Sequence, residues 1–249
     1  MRYPISGEWH KMDYEPQSKV MIPSGIPGLD DMIGGGFIKG SVFVLIGETG
    51  TGRTMFSLQY LYQGLLNGEK VMYISLFNPV EQLTGNFLSM YPEMRDRINK
   101  DIYIVQLPPE IFLTFSSRLG NNVAIMIQEL GVSRVVVNPF SVLEETLVTS
   151  TGFRSTDLNM VYSSLRSTGA TTILHVNSGQ TNVFASKFGF SEVFADGVAC
   201  MFREFPDNDH MRPYRMPFVL LKSRGLITKT AKLIKYDESG LFTLHSPIK

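Results

Sequence analysis

The sequence predicts an α/β protein, with a mainly parallel sheet flanked by helices and extended by antiparallel C-terminal strands. Three observations carry this. Ser41-Val42-Phe43-Val44-Leu45-Ile46 is six residues without a charge, most of them β-formers, which is the mark of a strand buried on both faces. Short β runs at 71–76, 102–106, 134–138 and 171–176 alternate with helical stretches near 54–67, 80–98, 120–131 and 155–168, as βαβ units do. After Asp196 the pattern changes: 197–202, 217–221, 231–236 and 241–244 read as short strands joined by turns, with Asp237-Glu238-Ser239-Gly240 as a hairpin turn.

Composition narrows the function classes. The 249 residues, 43% of them hydrophobic, are ample for a buried core. Lys+Arg and Asp+Glu are both 23, so the basic excess usual in constitutive nucleic-acid binders is missing. Cys200 is the sole cysteine, which rules out an intrachain disulfide, and its apolar setting reads as a buried thiol. His10, His175, His210 and His245 have no metal-ligand spacing. The N-terminus shows no apolar signal core and no later run is long enough to span a bilayer, so a soluble cytoplasmic protein is expected.

Residues 1–20 are polar and carry the only tryptophan, Trp9. They read as an extended arm preceding one domain at 21–249. Either the arm docks Trp9 and Tyr3 on a neighbouring subunit or it folds back on its own domain. From Pro23 to Gly40 a short helix beginning near Pro27 ends in Gly34-Gly35-Gly36 and turns into the central strand. That strand runs into Gly47-Glu48-Thr49-Gly50-Thr51-Gly52-Arg53-Thr54 and an amphipathic helix starting at Met55. Strand, loop and helix fit the phosphate-loop pattern G-x-x-x-x-G-K-[ST] at every position but one. The glycines let backbone N–H groups converge on a phosphate, with the helix N-terminus behind them. Gly47 through Met55 are therefore the candidate nucleotide-binding residues, with ATP or ADP as ligand. Thr54 stands where a hydroxyl would ligate Mg²⁺, and Arg53 replaces the lysine.

Ser24-Gly25-Ile26-Pro27-Gly28-Leu29-Asp30, Gly34-Gly35-Gly36, Gly40-Ser41 and the phosphate loop together resemble the RecA superfamily, and within it the KaiC-like ATPases. The similarity continues at 71–76, 81–83, 134–137, Ala195-Asp196-Gly197-Val198 and Lys222-Ser223-Arg224-Gly225, with no second tandem copy. The resemblance implies a RecA-like core, a homo-oligomeric ring such as a hexamer, and ATP hydrolysis. Hydrolysis needs a lysine on the β/γ-phosphates, a hydroxyl, an acid at the metal and a base that positions water.

Three of those four parts depart from the family pattern, and the hydroxyl, Thr54, is kept. Arg53 keeps the lysine's charge but is planar and bulkier; the exchange implies binding spared more than hydrolysis, although Arg53 doing the whole job stays open. Where relatives carry adjacent glutamates after strand 71–76, this chain has Phe77-Asn78-Pro79-Val80-Glu81, which reads as a helix cap with Glu81 as its capping acid. The metal acid should end strand 134–137, and Asn138 stands there; an amide brings no negative charge to a hard cation. Thr54 and Asn138 are thus the only metal candidates, and no residue is assigned a catalytic role. The resemblance further implies that Lys222 and Arg224 reach the γ-phosphate of an adjacent subunit, with Thr228 in place of a histidine; solvated strand charges are the alternative.

The first functional reading is a KaiC-like ATP/ADP-binding protein with weak or absent hydrolysis, serving as a regulatory or assembly module for an unknown protein partner. The second is an active ATPase of a KaiC-like ring in which Glu48, Glu144 or Glu145 substitutes for the lost acid. The third is a RecA-paralogue DNA-repair accessory on single-stranded DNA, through the aromatic loop Phe184–Phe190; neutral charge counts against it. An empty, structural loop is the remaining alternative, since Glu48 puts an acid beside the phosphates.

Overall fold

A computed structural model describes residues 20–116, 122–150, 154–205, 214–223, 230–237 and 241–246. In chain order the elements are β1 (Met21–Ile22), α1 (Leu29–Met32), β2 (Phe37–Ile38), β3 (Val42–Gly47), α2 (Arg53–Leu66), β4 (Lys70–Ser75), α3 (Val80–Met90), a 3₁₀ turn (Pro92–Arg97), β5 (Ile102–Gln106), α4 (Pro109–Ser116) and α5 (Asn122–Glu129). They continue with β6 (Val132–Asn138), α6 (Ser141–Thr149), α7 (Ser155–Ser167), β7 (Thr171–Asn177), α8 (Ser191–Phe194), β8 (Gly197–Met201), β9 (Pro217–Ser223), β10 (Thr230–Tyr236) and β11 (Phe242–His245).

The nine-stranded sheet has the order β11-β10-β9-β8-β3-β7-β6-β4-β5. From β8 to β5 neighbouring strands are parallel, and β9, β10 and β11 add on antiparallel. The predicted α/β class, the central strand and the antiparallel extension are all present. All six residues of β3 are buried, because it lies between β7 and β8 with helices over both faces. Phe43 and Leu45 join the core under α2 and α3, while Val42, Val44 and Ile46 join the core under α4 to α7. This period of two decides what the site receives. On the α2 face β4 presents Val71 and Tyr73, β6 presents Val136 and Asn138, and β7 presents Ile173, His175 and Asn177.

The run 24–30 has a local role. The Ser24 backbone N–H donates to Asp30 Oδ1 at 2.9 Å, and Gly28 caps α1 in the left-handed region, φ 83°. A Cβ at Gly28 would lie 2.3 Å from the Leu244 carbonyl oxygen, so only glycine lets this turn dock on β11.

Some elements differ from expectation. The stretch near 80–98 breaks after Met90 into a 3₁₀ turn, and α4, α6 and α8 were not signalled by periodicity. The predicted cap at Asn78 does not form: Pro79 is the N-cap, extended at ψ 146°, with no side-chain capping bond. Its extended backbone pushes Asn78 outside the helix, where the Asn78 carbonyl accepts from Ser75 Oγ at 2.7 Å. Residues 1–19 of the arm, and 238–240 of the hairpin turn, lie outside the described residues. Flanking that turn, β10 and β11 pair antiparallel from Tyr236↔Phe242.

Candidate functional site

The phosphate loop leaves β3 at Gly47 and enters α2 through Gly52. Gly50 and Gly52 are left-handed, with φ of 84° and 85°, a conformation that turns successive N–H groups into one concavity. Gly47 is obligatory for closeness, since a Cβ there would sit 2.7 Å from the Met201 carbonyl oxygen. Thr51 is buried and braces the loop from inside, its hydroxyl donating to the Glu48 carbonyl at 2.8 Å. Thr49 and Gly50 face solvent, and Thr54 and Met55 are half-buried on the first turn of α2. Tyr236 of β10 closes one side: its hydroxyl lies where a Gly52 Cβ would come within 2.0 Å.

Arg53 does not extend over this loop. Its Nη1 donates to the Val176 carbonyl at 2.7 Å and its Nη2 to Asn177 Oδ1 at 3.0 Å, both at the carboxyl end of β7. One helical turn on, Ser57 Oγ and His175 Nε2 are 2.5 Å apart, so positions 53 and 57 rest on the same strand. Desolvation lowers Arg53 to about 10, with Tyr73 nearby, which leaves it cationic at neutral pH. The same burial, with Arg53 beside it, holds His175 neutral well below the usual imidazole range.

Thr54 and Asn138 do come together, around Tyr73. The Asn138 Nδ2 donates to Tyr73 Oη at 2.7 Å, and Thr54 lies near enough to the same hydroxyl to favour its ionised form. The sheet register explains it: Asn138 is the Cα partner of Ser75, two residues beyond Tyr73, so the phenol reaches diagonally under the first turn of α2. Burial pushes the Tyr73 hydroxyl up to about 12, keeping it neutral. A hydroxyl, an amide and a neutral phenol are therefore what stands where the family implies Mg²⁺. This donor set does not suit a hard cation that favours carboxylates, and no group of three or more metal-ligating His, Cys, Asp or Glu side chains occurs among the described residues.

The alternative acids are engaged elsewhere. Glu48 pairs with Arg203 at 3.5 Å, and Glu145 with Lys187 at 3.3 Å. Glu144 is 1% exposed and accepts from Ser191 Oγ at 2.7 Å. Burial, opposed by that hydrogen bond, raises its carboxyl to about 7. At the position of the lost base, Phe77 is 74% exposed. Asp196 is a structural acid: its Oδ2 accepts from the Val42 N–H at 2.9 Å and from Arg166 at 3.0 Å. In the aromatic loop Phe184 packs edge-on against Phe202, with centroids 5.2 Å apart, which uses that ring for packing. Cys200 is buried and its thiol raised to about 12.

Lys222 pairs with Val198 on β8, whereas the loop is level with Met201 and Phe218. At ~3.3 Å per residue that separation is roughly 10 Å along β8 and roughly 13 Å along the bulged β9. Its Nζ donates to the Glu192 carbonyl at 3.0 Å. Arg224 and Thr228 lie outside the described residues.

Four contributors escaped the sequence reading: Tyr73, the Val176 carbonyl, Asn177 and Tyr236. For Asn177 a signal existed, because a polar residue at the carboxyl end of a parallel strand marks the binding edge of such sheets. Tyr236 sits in a strand remote in sequence from the loop and carried none.

A glycine nest between the central strand of a parallel sheet and a long helix defines a P-loop protein of RecA-like architecture. The chain belongs to the KaiC ATPase family, whose model, described as "ATPase: KaiC", matches residues 22–234. Circadian clock protein KaiC3 of Synechocystis is 23% identical over 92% of this chain and 49% of its own length. A UPF0273 protein of Aeropyrum pernix is 33% identical over 34% of each. Among solved structures, a KaiC-like protein of Pyrococcus horikoshii OT3 superposes with a TM-score of 0.73 at 22% identity, covering 92% of this chain and all of that one. The chain spans about half the length of that Synechocystis relative. Family membership supports a nucleotide-binding KaiC-like protein, and no helix among the described residues is long and apolar enough to cross a membrane.

Proposed function

We propose that this chain binds ATP or ADP in the loop Gly47–Met55 and hydrolyses it slowly or not at all, acting as a regulatory or assembly module that reports nucleotide occupancy to a protein partner. The observation that carries it is the tethering of Arg53 to β7 by two hydrogen bonds, which diverts the loop's cation from the phosphates. Support comes from Phe77, Asn78 and Asn138, none of which can act as a base or bring charge to a metal. The loop itself keeps the parts that bind rather than cleave: left-handed glycines, a helix N-terminus and a hydroxyl. Lys222, too far from its own loop, would contact a phosphate only in a neighbouring copy, which fits a homo-oligomeric ring with nucleotide between subunits.

Calorimetric titration of the purified protein with ATP and with ADP, beside a phosphate-release assay, tests this. Micromolar binding without phosphate release is expected. Steady release that Lys222→Ala abolishes would establish a working ring ATPase and overturn the reading, and so would the absence of binding.

A further inference from the structure

We infer that the groove between α3 and the outer edge of β5 is the seat of this chain's own N-terminal arm, residues 1–19, with Trp9 as the anchor. The groove encloses about 660 Å³. Thr84, Gly85 and Leu88 line it from α3, Arg95 and Ile98 from the stretch before β5, and Ile104 from β5 itself. Gly85 is the first sign that something lies there. It sits in the interior of the 11-residue α3, where glycine weakens a helix relative to alanine. The glycine inside α2, Gly64, has a reason within the domain, since a Cβ there would lie 2.7 Å from Arg134 Cδ. At Gly85 a Cβ would meet nothing within 4 Å. The described residues give this glycine nothing to make room for; a flat ring laid across the groove does.

The sheet edge is the second sign. At the β11 end the Phe242 N–H donates to Gln59 Oε1 and the Leu244 N–H to the Pro27 carbonyl, both at 2.9 Å, so that edge is closed. At the β5 end the Val71 N–H donates to the Asp101 carbonyl and the Leu107 N–H to the Ser75 carbonyl. Odd-numbered residues of β5 therefore turn their backbone groups to β4, and even-numbered ones turn them outward. The Ile102 carbonyl accepts from the Asn99 N–H at 2.8 Å, and past it no described strand pairs with that side. The outward backbone of Ile104, beside the groove, is an open edge of the kind folded proteins cover.

Position and chemistry both favour the arm as occupant. The arm joins the domain at Val20, just ahead of Pro23, whose carbonyl accepts from Arg134 near the amino end of β6. Only β4 separates β6 from β5, two spacings of about 4.8 Å. Residues 1–19 reach about 60 Å when extended, so the groove is within reach of its own arm. They carry Tyr3, Trp9 and Tyr14, large rings with polar tips that suit an apolar groove rimmed by hydroxyls. Returning to Val20 at the amino edge of the sheet brings Asp13 and Glu15 in last, at the end of the groove that Arg95 lines.

Trp9 is the only tryptophan, so tryptophan fluorescence of the full chain reports the arm alone. Emission blue-shifted from that of the urea-unfolded protein, shielded from acrylamide and unchanged on dilution is expected. Gly85→Gln puts a long side chain into the groove from a position whose Cβ has open space. It should shift the emission to the red and remove the shielding, with circular dichroism unaltered. Arg95→Glu reverses an exposed charge without touching α3, and should likewise weaken the shielding by repelling Asp13 and Glu15. Trp9 exposed in the parent protein overturns the inference, and shielding left intact in either variant does so too, by placing Trp9 elsewhere. Shielding lost on dilution would give the groove to the arm of a neighbouring copy and overturn its assignment to the same chain.

Discussion

Arg53→Lys is the most informative single change, because it exchanges one kind of loop for another. The guanidinium spans β7 with two bonds in a fork, 2.7 Å to the Val176 carbonyl and 3.0 Å to Asn177 Oδ1. A charge-assisted bond of this kind contributes about 1.5–3 kcal/mol gross, and the exposure of Asn177 discounts the second one. An ammonium has no fork and keeps at most one of the two bonds, so the variant should lose about 1–2 kcal/mol of stability. The same release frees a compact cation for the phosphates. One regained charge-assisted contact is worth about 1.5 kcal/mol or more, about tenfold in affinity. Urea denaturation measures the first effect and calorimetry with ADP the second. Loss of stability with affinity unchanged or weaker would refute the view that the tether competes with phosphate. Affinity gained without loss of stability would show that the bonds to β7 contribute nothing.

Two other perturbations follow from the same geometry. Glu144 has a folded-state pKa of about 7 against an ordinary 4.5, raised by burial; the folded state therefore holds its proton more tightly than the unfolded chain. Its contribution to stability is complete below about pH 4.5 and is lost as pH rises through about 7, by about 3 kcal/mol at most. Glu144→Gln should flatten that decline and be the more stable form at pH 8, measured by denaturation across pH 5–8; a variant that declines as steeply as the parent would exclude Glu144 as the source. Gly50→Ala and Gly52→Ala share a left-handed backbone, φ 84° and 85°, but a Cβ meets nothing at Gly50 and lies 2.0 Å from the Tyr236 hydroxyl at Gly52. Each should cost about 1–2 kcal/mol for the backbone, with a further loss at Gly52 that disappears in the Tyr236→Phe background; equal costs at both positions would mean that Tyr236 does not brace the loop.

Much of this protein was settled by local sequence. The uncharged run at 41–46 could only be a strand covered on both faces, and glycines at 47, 50 and 52 could only be a loop that folds tightly onto a helix. Strand and helix periods then set the parallel core, and the change after Asp196 set the antiparallel edge. The missing lysine and the amide at 138 were visible as residue types. What they do instead was not, because it depends on partners far apart in the chain. Arg53 is turned aside by residues 176 and 177, and Asn138 is hydrogen-bonded to residue 73 near Thr54. The phenol falls between them only because β4 and β6 are adjacent in one register and α2 crosses above both. Local propensity determines which residues form strands and loops; which polar groups converge at a sheet's carboxyl edge is decided by strand order and side-chain direction, and these exist only once the sheet has formed.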